Sequence, residues 1–363
     1  MTRNIHAQVD LGALRHNLRV ARAAAPHSRL LAVVKADAYG HGLLPVARAA
    51  GDLADGFAVS CLEEAIPLRE AGIDKPILLL EGFFDPSELP VIERYGLDCA
   101  LHADWQLEML ERARVARPIR IWLKIDSGMH RLGVRPEEAR AFYWRLRDCP
   151  AVDQHVRLMT HLAYADDRSD EYTHYQLENF ERATEGLPGE RSIGNSAGVL
   201  AWPRTRSDWV RPGIMLYGAS PFADGQPSPA ALRPVMTLRT RLVAVRQCRK
   251  GDRIGYAGRF ECPEDMPVGV VAAGYGDGYP RHAPCGTPVL VDGRRAGIVG
   301  RVSMDMLCVD LRGLEHVRPG AEVTLWGEGL PVEEIAAACG TISYELLCKL
   351  TRRVRFEYRD EHG

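Results

Sequence analysis

The sequence runs to 363 residues, 46% of them hydrophobic and 26% charged. At roughly 150 residues per domain that length suits two domains, each able to bury a core. Lys and Arg number 46 against 48 Asp and Glu, a net charge of -2 that gives no field for general nucleic-acid binding. No stretch reaches the ~18 uninterrupted apolar residues of a membrane span. The opening Met1-Thr2-Arg3-Asn4-Ile5-His6 has no apolar run behind its positive charge, so it does not read as a secretory signal. Nine cysteines lie singly from Cys61 to Cys348 with no Cys-x-x-Cys pair, and His-Glu-x-x-His is absent. That usage suits reduced cytoplasmic thiols and gives no metal site.

From Leu30 to Tyr217 short apolar runs alternate with stretches of helical period. Eight strands are predicted: Leu30–Val34, Phe57–Ser60, Ile77–Leu80, Leu97–Leu101, Ile119–Ile125, Val156–His161, Ser192–Gly194 and Trp209–Arg211. Helical patterns fall between them at Leu44–Ala50, Leu62–Glu70, Trp105–Ala116, Pro136–Leu146 and Tyr172–Thr184. Pro136 sits at a predicted first helical position, and Gly72 and Gly186 at predicted helix ends. Eightfold alternation predicts a parallel (β/α)8 barrel of TIM type. An open doubly wound sheet shows the same alternation; the strand count favours the barrel. Beyond about Arg233 the texture becomes short strands broken by Gly, Pro and Asp: Met236–Val245, Val268–Ala272, Pro288–Val291, Ala296–Val299, Leu307–Asp310 and Val323–Trp326. Asp292-Gly293 marks a hairpin, so a mainly antiparallel β domain is expected, closed by helices at Glu333–Ala338 and Tyr344–Thr351.

The strand C-termini of such a barrel form its working face. Lys35, Ser60, His102, Lys124 with Asp126, His161, Asn195-Ser196, and Arg211 with Gly213 stand at or just after the predicted ends. A single polar strand end needs only water to explain it; a ring of them points to a site. Lys35 leaves the apolar run Leu30–Val34, and desolvation at the barrel mouth lowers a lysine pKa toward that of a Schiff-base nucleophile. A lysine snorkelling to solvent gives the same local pattern. The loops Asn195-Ser196-Ala197-Gly198 and Arg211-Pro212-Gly213-Ile214 offer a hydroxyl and free backbone N–H groups where barrels often bind phosphate. Gly194-Asn195-Ser196-Ala197-Gly198 also fits the Gly-x-Ser-x-Gly elbow of serine hydrolases, but Pro188-Gly189-Glu190-Arg191 precedes it instead of a strong strand. Gly274-Tyr275-Gly276-Asp277-Gly278 lacks dinucleotide-fingerprint spacing, and Tyr279-Pro280 follows it instead of a helix.

Ala32-Val-Val-Lys35-Ala-Asp-Ala-Tyr39-Gly-His-Gly42 resembles the pyridoxal-phosphate lysine segment of the alanine racemase family. The likeness continues through Leu123–Gly133, Asn195-Ser196, Val210–Gly218, Gly255-Tyr256, Gly274–Gly278, Gly300–Asp305 and Ser343–Glu345. It implies a pyridoxal 5'-phosphate barrel at 10–232 and a β domain formed by 1–9 with 233–363. It further implies a homodimer that shares its active sites and racemises alanine by two bases. By this resemblance Lys35 forms the internal aldimine and is one base; Tyr256, reaching over from the partner subunit, is the other. Tyr39, Ser196, Gly213, Ile214 and Tyr344 hold the phosphate, Arg211 faces the pyridine nitrogen, and His161 packs near it. Arg131 contacts the cofactor phenolate and the substrate carboxylate, the Met304 backbone completes carboxylate binding, and Lys124 occupies a position carbamylated in many members. Leu162, Tyr164, Gly276 and Arg355 depart from the family pattern at the entrance and the C-terminal path. A broader-specificity racemase, a barrel decarboxylase, a cofactor carrier and the serine hydrolase are the rival readings.

Overall fold

The structure, a computed structural model, describes residues 4–223, 228–314 and 316–360. Met1–Arg3, part of the segment read for a secretory signal, lie outside the described residues. β1 (His6–Asp10) opens the chain, and the Asp10 carboxylate caps the following helix Leu11–Ala24 by accepting from Ala13 N at 2.8 Å. Eight strands come next: β2 (Arg29–Val33), β3 (Gly56–Val59), β4 (Ile77–Leu79), β5 (Asp98–Leu101), β6 (Arg120–Lys124), β7 (Arg157–Met159), β8 (Arg191–Ser192) and β9 (Trp209–Val210). Each pairs in parallel with the next, and β9 returns to β2 with Val210 opposite Leu30, closing the barrel. Both faces of these strands are covered, one by the barrel interior and one by helices, so their middles are apolar and their charged residues stand at the strand ends.

All eight predicted strands are present, within two residues at each end. Two helices differ from expectation. The one predicted over Trp105–Ala116 spans Asp104–Arg112, because Glu93 Oε1 accepts from Ala116 N and Arg117 N, both at 2.9 Å, and draws the chain out of the helical path. The one predicted from Pro136 begins at Ala139; residues 135–138 form a turn in which Glu138 Oε2 accepts from Arg135 N at 3.2 Å.

The remaining strands are β10 (Met236–Cys248), β11 (Arg253–Ile254), β12 (Phe260–Glu261), β13 (Met266–Val271), β14 (Pro288–Val291), β15 (Arg294–Val299), β16 (Leu307–Asp310), β17 (Glu322–Trp326) and β18 (Arg355–Arg359). β10, bulged between Leu242 and Ala244, pairs with both β17 and β13, so six strands run round to meet themselves. β14 and β15 join through Asp292 and Gly293, whose φ values of 45° and 76° are those a tight hairpin requires. β1 extends this sheet: it is antiparallel to β10 and parallel to β18. Neither β1, the helix after it, nor β18 was among the predicted elements. The closing helices span Val332–Cys339 and Ser343–Cys348, the second three residues shorter at its C-terminus than expected. Among the described residues no helix is long and apolar enough to cross a membrane, and no three His, Cys, Asp or Glu side chains gather to hold a metal.

Candidate active site

β2 delivers Lys35 to the barrel mouth, and the chain then does something its residues do not favour. Ala36, Asp37, Ala38 and Tyr39 form a left-handed turn with φ between 52° and 54°. That conformation costs an L-residue roughly 1–2 kcal/mol each, so the surroundings must impose it. Glu64 is one clamp: its Oε1 accepts from Ala36 N at 2.7 Å and its Oε2 from Ser60 N at 2.8 Å. Asp37 is another, its Oδ1 accepting from Leu43 N at 2.7 Å. Gly40, at φ 75°, passes so close to the helix Ser343–Cys348 that a Cβ there would lie 2.2 Å from Leu347 O.

The mouth is a cavity of about 640 Å³. Ten of the twelve predicted site residues line it: Lys35, Tyr39, Lys124, Arg131 and His161 on one part of the wall, Ser196, Arg211, Gly213, Ile214 and Tyr344 on the other. Four of these are cations, and Glu81 is the carboxylate among the lining residues. Burial, aided by Arg211, Arg131 and Lys35, pushes Lys124 down to about 8. Two amines therefore share the mouth, Lys35 and Lys124, both from strand ends that the sequence marked. Burial and the same cations hold His161 well below the usual histidine range, so its ring is neutral.

Arg211 is 4% exposed. Its guanidinium donates to Ser192 Oγ and Thr160 O, both at 2.5 Å, and to Ile193 O at 3.4 Å. Burial pulls it down to about 10, which leaves it charged at neutral pH. Arg131 rides on a loop that leaves and rejoins the barrel through Val134 N to Lys124 O and Asp126 N to Val134 O, both 2.9 Å. Asp126 folds that loop from within, its Oδ1 accepting from Gly128 N at 3.0 Å and His130 N at 2.9 Å.

The opposite end is built for an anion. Ser196 Oγ accepts from Gly213 N at 2.8 Å and Met215 N at 3.3 Å, tying the seventh and eighth loops together. An added Cβ on Gly213 would lie 2.7 Å from Tyr39 Oη, so the bare backbone is what leaves room there. Tyr39 and Tyr344 rings stand 5.9 Å apart, and burial raises both phenols, keeping them neutral donors. A buried amine, a fixed guanidinium and a hydroxyl-lined glycine cradle in one cavity fit a phosphate-bearing aldehyde such as pyridoxal phosphate.

Two family models match the chain: the alanine racemase N-terminal domain over residues 9–221 and the alanine racemase C-terminal domain over 235–358. The chain is 55% identical to the alanine racemase of Halorhodospira halophila over 357 residues, 98% of each chain. The chain belongs to the alanine racemase family. Among solved members, the biosynthetic alanine racemase of Pseudomonas aeruginosa superposes with a TM-score of 0.96 at 48% identity, covering 99% of this chain and 100% of that one. The alanine racemase of Bacillus anthracis, solved with bound L-Ala-P, superposes with a TM-score of 0.88 at 31% identity, covering 100% and 97%.

The two decoy motifs have structural roles compatible with alanine racemase family membership. Ser196 opens the short helix Ser196–Ala201 and receives two backbone N–H groups, as an acceptor and not as a hydrolase nucleophile; the strand before it, β8, has only two residues. Gly274 N donates to Asp277 Oδ2 at 2.9 Å within a tight turn, and a Cβ on Gly274 would lie 2.3 Å from Ser303 O.

The structure leaves two predicted residues outside the cavity. Tyr256, on the β11–β12 hairpin, is 68% exposed, and Met304 is 51% exposed. Of the polar strand ends, Ser60, His102 and Asp126 do not line it either: the His102 ring meets Glu81 O at 3.2 Å, and burial keeps it neutral. The sequence reading missed Glu81 and Cys348. Glu81 follows the run Ile77–Leu80, so the strand-end rule that found Lys35 applies to it equally. Cys348 lies one helical turn after Tyr344, the i, i+4 spacing that shares a face.

Proposed function

We propose that the chain interconverts L-alanine and D-alanine with pyridoxal 5'-phosphate held in the barrel mouth. The observation that carries this reading is one cavity joining the Lys35 amine to the Ser196–Gly213 cradle, with Arg211 fixed between carbonyls beside them. When bound, pyridoxal phosphate offers an aldehyde carbon to amines and a ring that takes up the electron pair left at the substrate Cα. Ser196, Gly213, Ile214, Tyr39 and Tyr344 hold the phosphate. Arg211 donates toward the ring nitrogen, and neutral His161 packs beside it without adding charge.

Lys35 anchors the aldehyde carbon and moves a proton at Cα on one face. The partner subunit's Tyr256 moves a proton on the other, because racemisation needs a base on each side of a planar carbon. Its exposure on its own chain supports that assignment, since a tyrosine facing solvent is free to enter a second molecule's site. Arg131 pairs with the substrate carboxylate and the cofactor phenolate, and the partner subunit's Met304 supplies a backbone N–H to the carboxylate. Lys124, neutral more readily than an ordinary lysine, suits carbamylation, and its carbamate would orient Arg131. The barrel unit at 10–232 thus carries binding, and the unit formed by 1–9 with 233–363 supplies the second base. The nine thiols, all unpaired in this fold, suit a reducing, cytoplasmic compartment; the homodimer is supported by the placement of Tyr256 outside its own cavity.

The test is α-proton exchange into heavy water from L- and D-alanine by the cofactor-loaded protein, with serine and larger amino acids alongside. Exchange from both alanine enantiomers is expected. Exchange that is no faster with alanine than with the rest indicates a broad-specificity racemase, and none at all would sink the proposal.

A further inference from the structure

Behind the Lys35 segment sits a histidine that the proposed reaction does not use. His41 is fully buried, with Nδ1 2.8 Å from Tyr39 O and 3.1 Å from Ala38 O. Carbonyl oxygens only accept, so the ring proton resides on Nδ1. Nε2 is buried with no hydrogen-bond partner. Burial pushes the ring down to about 4, so it stays neutral and keeps this tautomer at working pH. Its face lies 4.6 Å from Tyr217, which stacks on Tyr39 at 4.8 Å and donates its hydroxyl to Val33 O at 2.8 Å.

Both carbonyls gripped by His41 belong to the left-handed turn, the most strained stretch of backbone in the site. A turn of L-residues in that region relaxes toward the right-handed or extended form unless donors meet its carbonyls where they point. Relaxation would carry the Tyr39 phenol away from Gly213, where its Oη stands so near that an added Cβ would lie 2.7 Å from it. We propose that His41 is a positioning residue whose Nδ1–H clamps the turn Ala36–Tyr39 from behind and so sets Tyr39 at the phosphate end of the cavity. This rests on the reading that the cavity holds pyridoxal phosphate. A histidine that merely fills the core would be replaced without loss by an apolar side chain of similar size.

The experiment measures equilibrium binding of pyridoxal 5'-phosphate and of pyridoxal, which lacks the phosphate, to cofactor-free protein. Wild type, His41→Phe and His41→Asn are compared, with thermal midpoints to verify folding. His41→Phe removes the donor and is expected to weaken pyridoxal phosphate roughly tenfold, the scale of one lost buried hydrogen bond. Pyridoxal, which does not use Tyr39, should change less than about threefold. His41→Asn keeps an N–H and should stay within about threefold of wild type for both. Unchanged phosphate-ester binding by folded His41→Phe, or an equal loss for both ligands, overturns the clamp. If His41→Phe does not fold, His41→Asn decides: near-wild-type binding upholds the donor's role, and a tenfold loss overturns it. Wild type that binds no pyridoxal phosphate sinks the functional reading instead, so the two failures are distinct.

Discussion

The barrel mouth gathers four cations, with Lys124 and Arg211 buried and Arg211 held by fixed acceptors, whereas the β11–β12 hairpin holds its tyrosine out in solvent. One region is finished within a single chain: Arg211 has its carbonyls, Ser196 its backbone donors, and Lys124 a pKa already displaced by its neighbours. The other is an exposed side chain outside the cavity. Tyr256 sits at a hairpin tip whose glycine, Gly255, takes φ 72°, and it adds nothing to the cavity of its own chain. The contrast teaches that the barrel mouth is assembled within one chain while Tyr256 is not part of it, which is the division the proposed two-base, two-subunit reading requires.

The largest effect expected is that of Lys35→Ala, which removes anchor and base together: racemisation should fall at least about 10⁴-fold, with loss of the visible absorbance of bound cofactor. Retained absorbance with retained turnover would shift the anchoring role to Lys124, the second amine in the mouth. Next is Tyr256→Phe, expected to slow exchange about 10²–10³-fold from one enantiomer and far less from the other, with the cofactor spectrum unchanged. Mixing Lys35→Ala and Tyr256→Phe subunits should then restore activity, up to about one quarter of wild-type sites in a random dimer mixture. No recovery after verified subunit exchange would erase the division between the two regions.

A smaller effect tests how finished the barrel mouth is. Lys124 titrates near 8 in the folded chain against 10.5 for a free lysine, so between those values the unfolded chain holds the extra proton. Folding stability therefore climbs with pH across that interval and is penalised below it. Lys124→Met should be more stable than wild type at pH 7, by up to about 3 kcal/mol, and the gap should close as pH rises toward ~10.5. Added bicarbonate should narrow it if the amine is carbamylated. Denaturant melts across pH, with cofactor absent from both proteins, measure this; a gap independent of pH would refute the displaced pKa.

The smallest effect concerns Arg211. Glu at this position would aim carboxylate oxygens at Thr160 O and Ile193 O, so Arg211→Gln, which keeps a donor, is the cleaner variant. It removes a fixed positive charge that disfavours ring protonation and should raise pyruvate formed per racemisation turnover a few-fold. An unchanged ratio would leave Arg211 as a brace between barrel strands.

The two regions also differed in how legible they were. Most barrel strands were readable because both faces are buried, which makes their middles apolar runs; two-residue β8, Arg191–Ser192, and β9 were found only because the alternation required strands there. β1 and β18 were not, because each is defined by a partner at the far end of the chain and is short, with polar residues at alternate positions. The left-handed turn was invisible, since nothing in Ala-Asp-Ala-Tyr calls for positive φ and the groups that meet it, Glu64, Asp37, His41 and Leu347, are brought there by the fold. Strand-end polarity found most of the site but misplaced Ser60, His102 and Asp126, whose side chains or backbone are used within the wall and its loops. The roles of Tyr256 and Met304 came from family resemblance alone, because no spacing within one chain can show what a neighbouring molecule receives.

The pairing of β1 with β10 and β18 has a consequence for how the chain is made. β1 leaves the ribosome more than two hundred residues before β10 exists to receive it, and β18 is the last strand to appear. At ~5–20 residues per second, the first strand waits roughly ten seconds or longer with both edges unpaired, which invites association with neighbouring nascent chains. The strands of the barrel, complete by Val210, are all available before Met236 is added. Synthesis order therefore lets the binding half close first, and leaves the N-terminus to be stitched into a sheet that only the finished chain can offer.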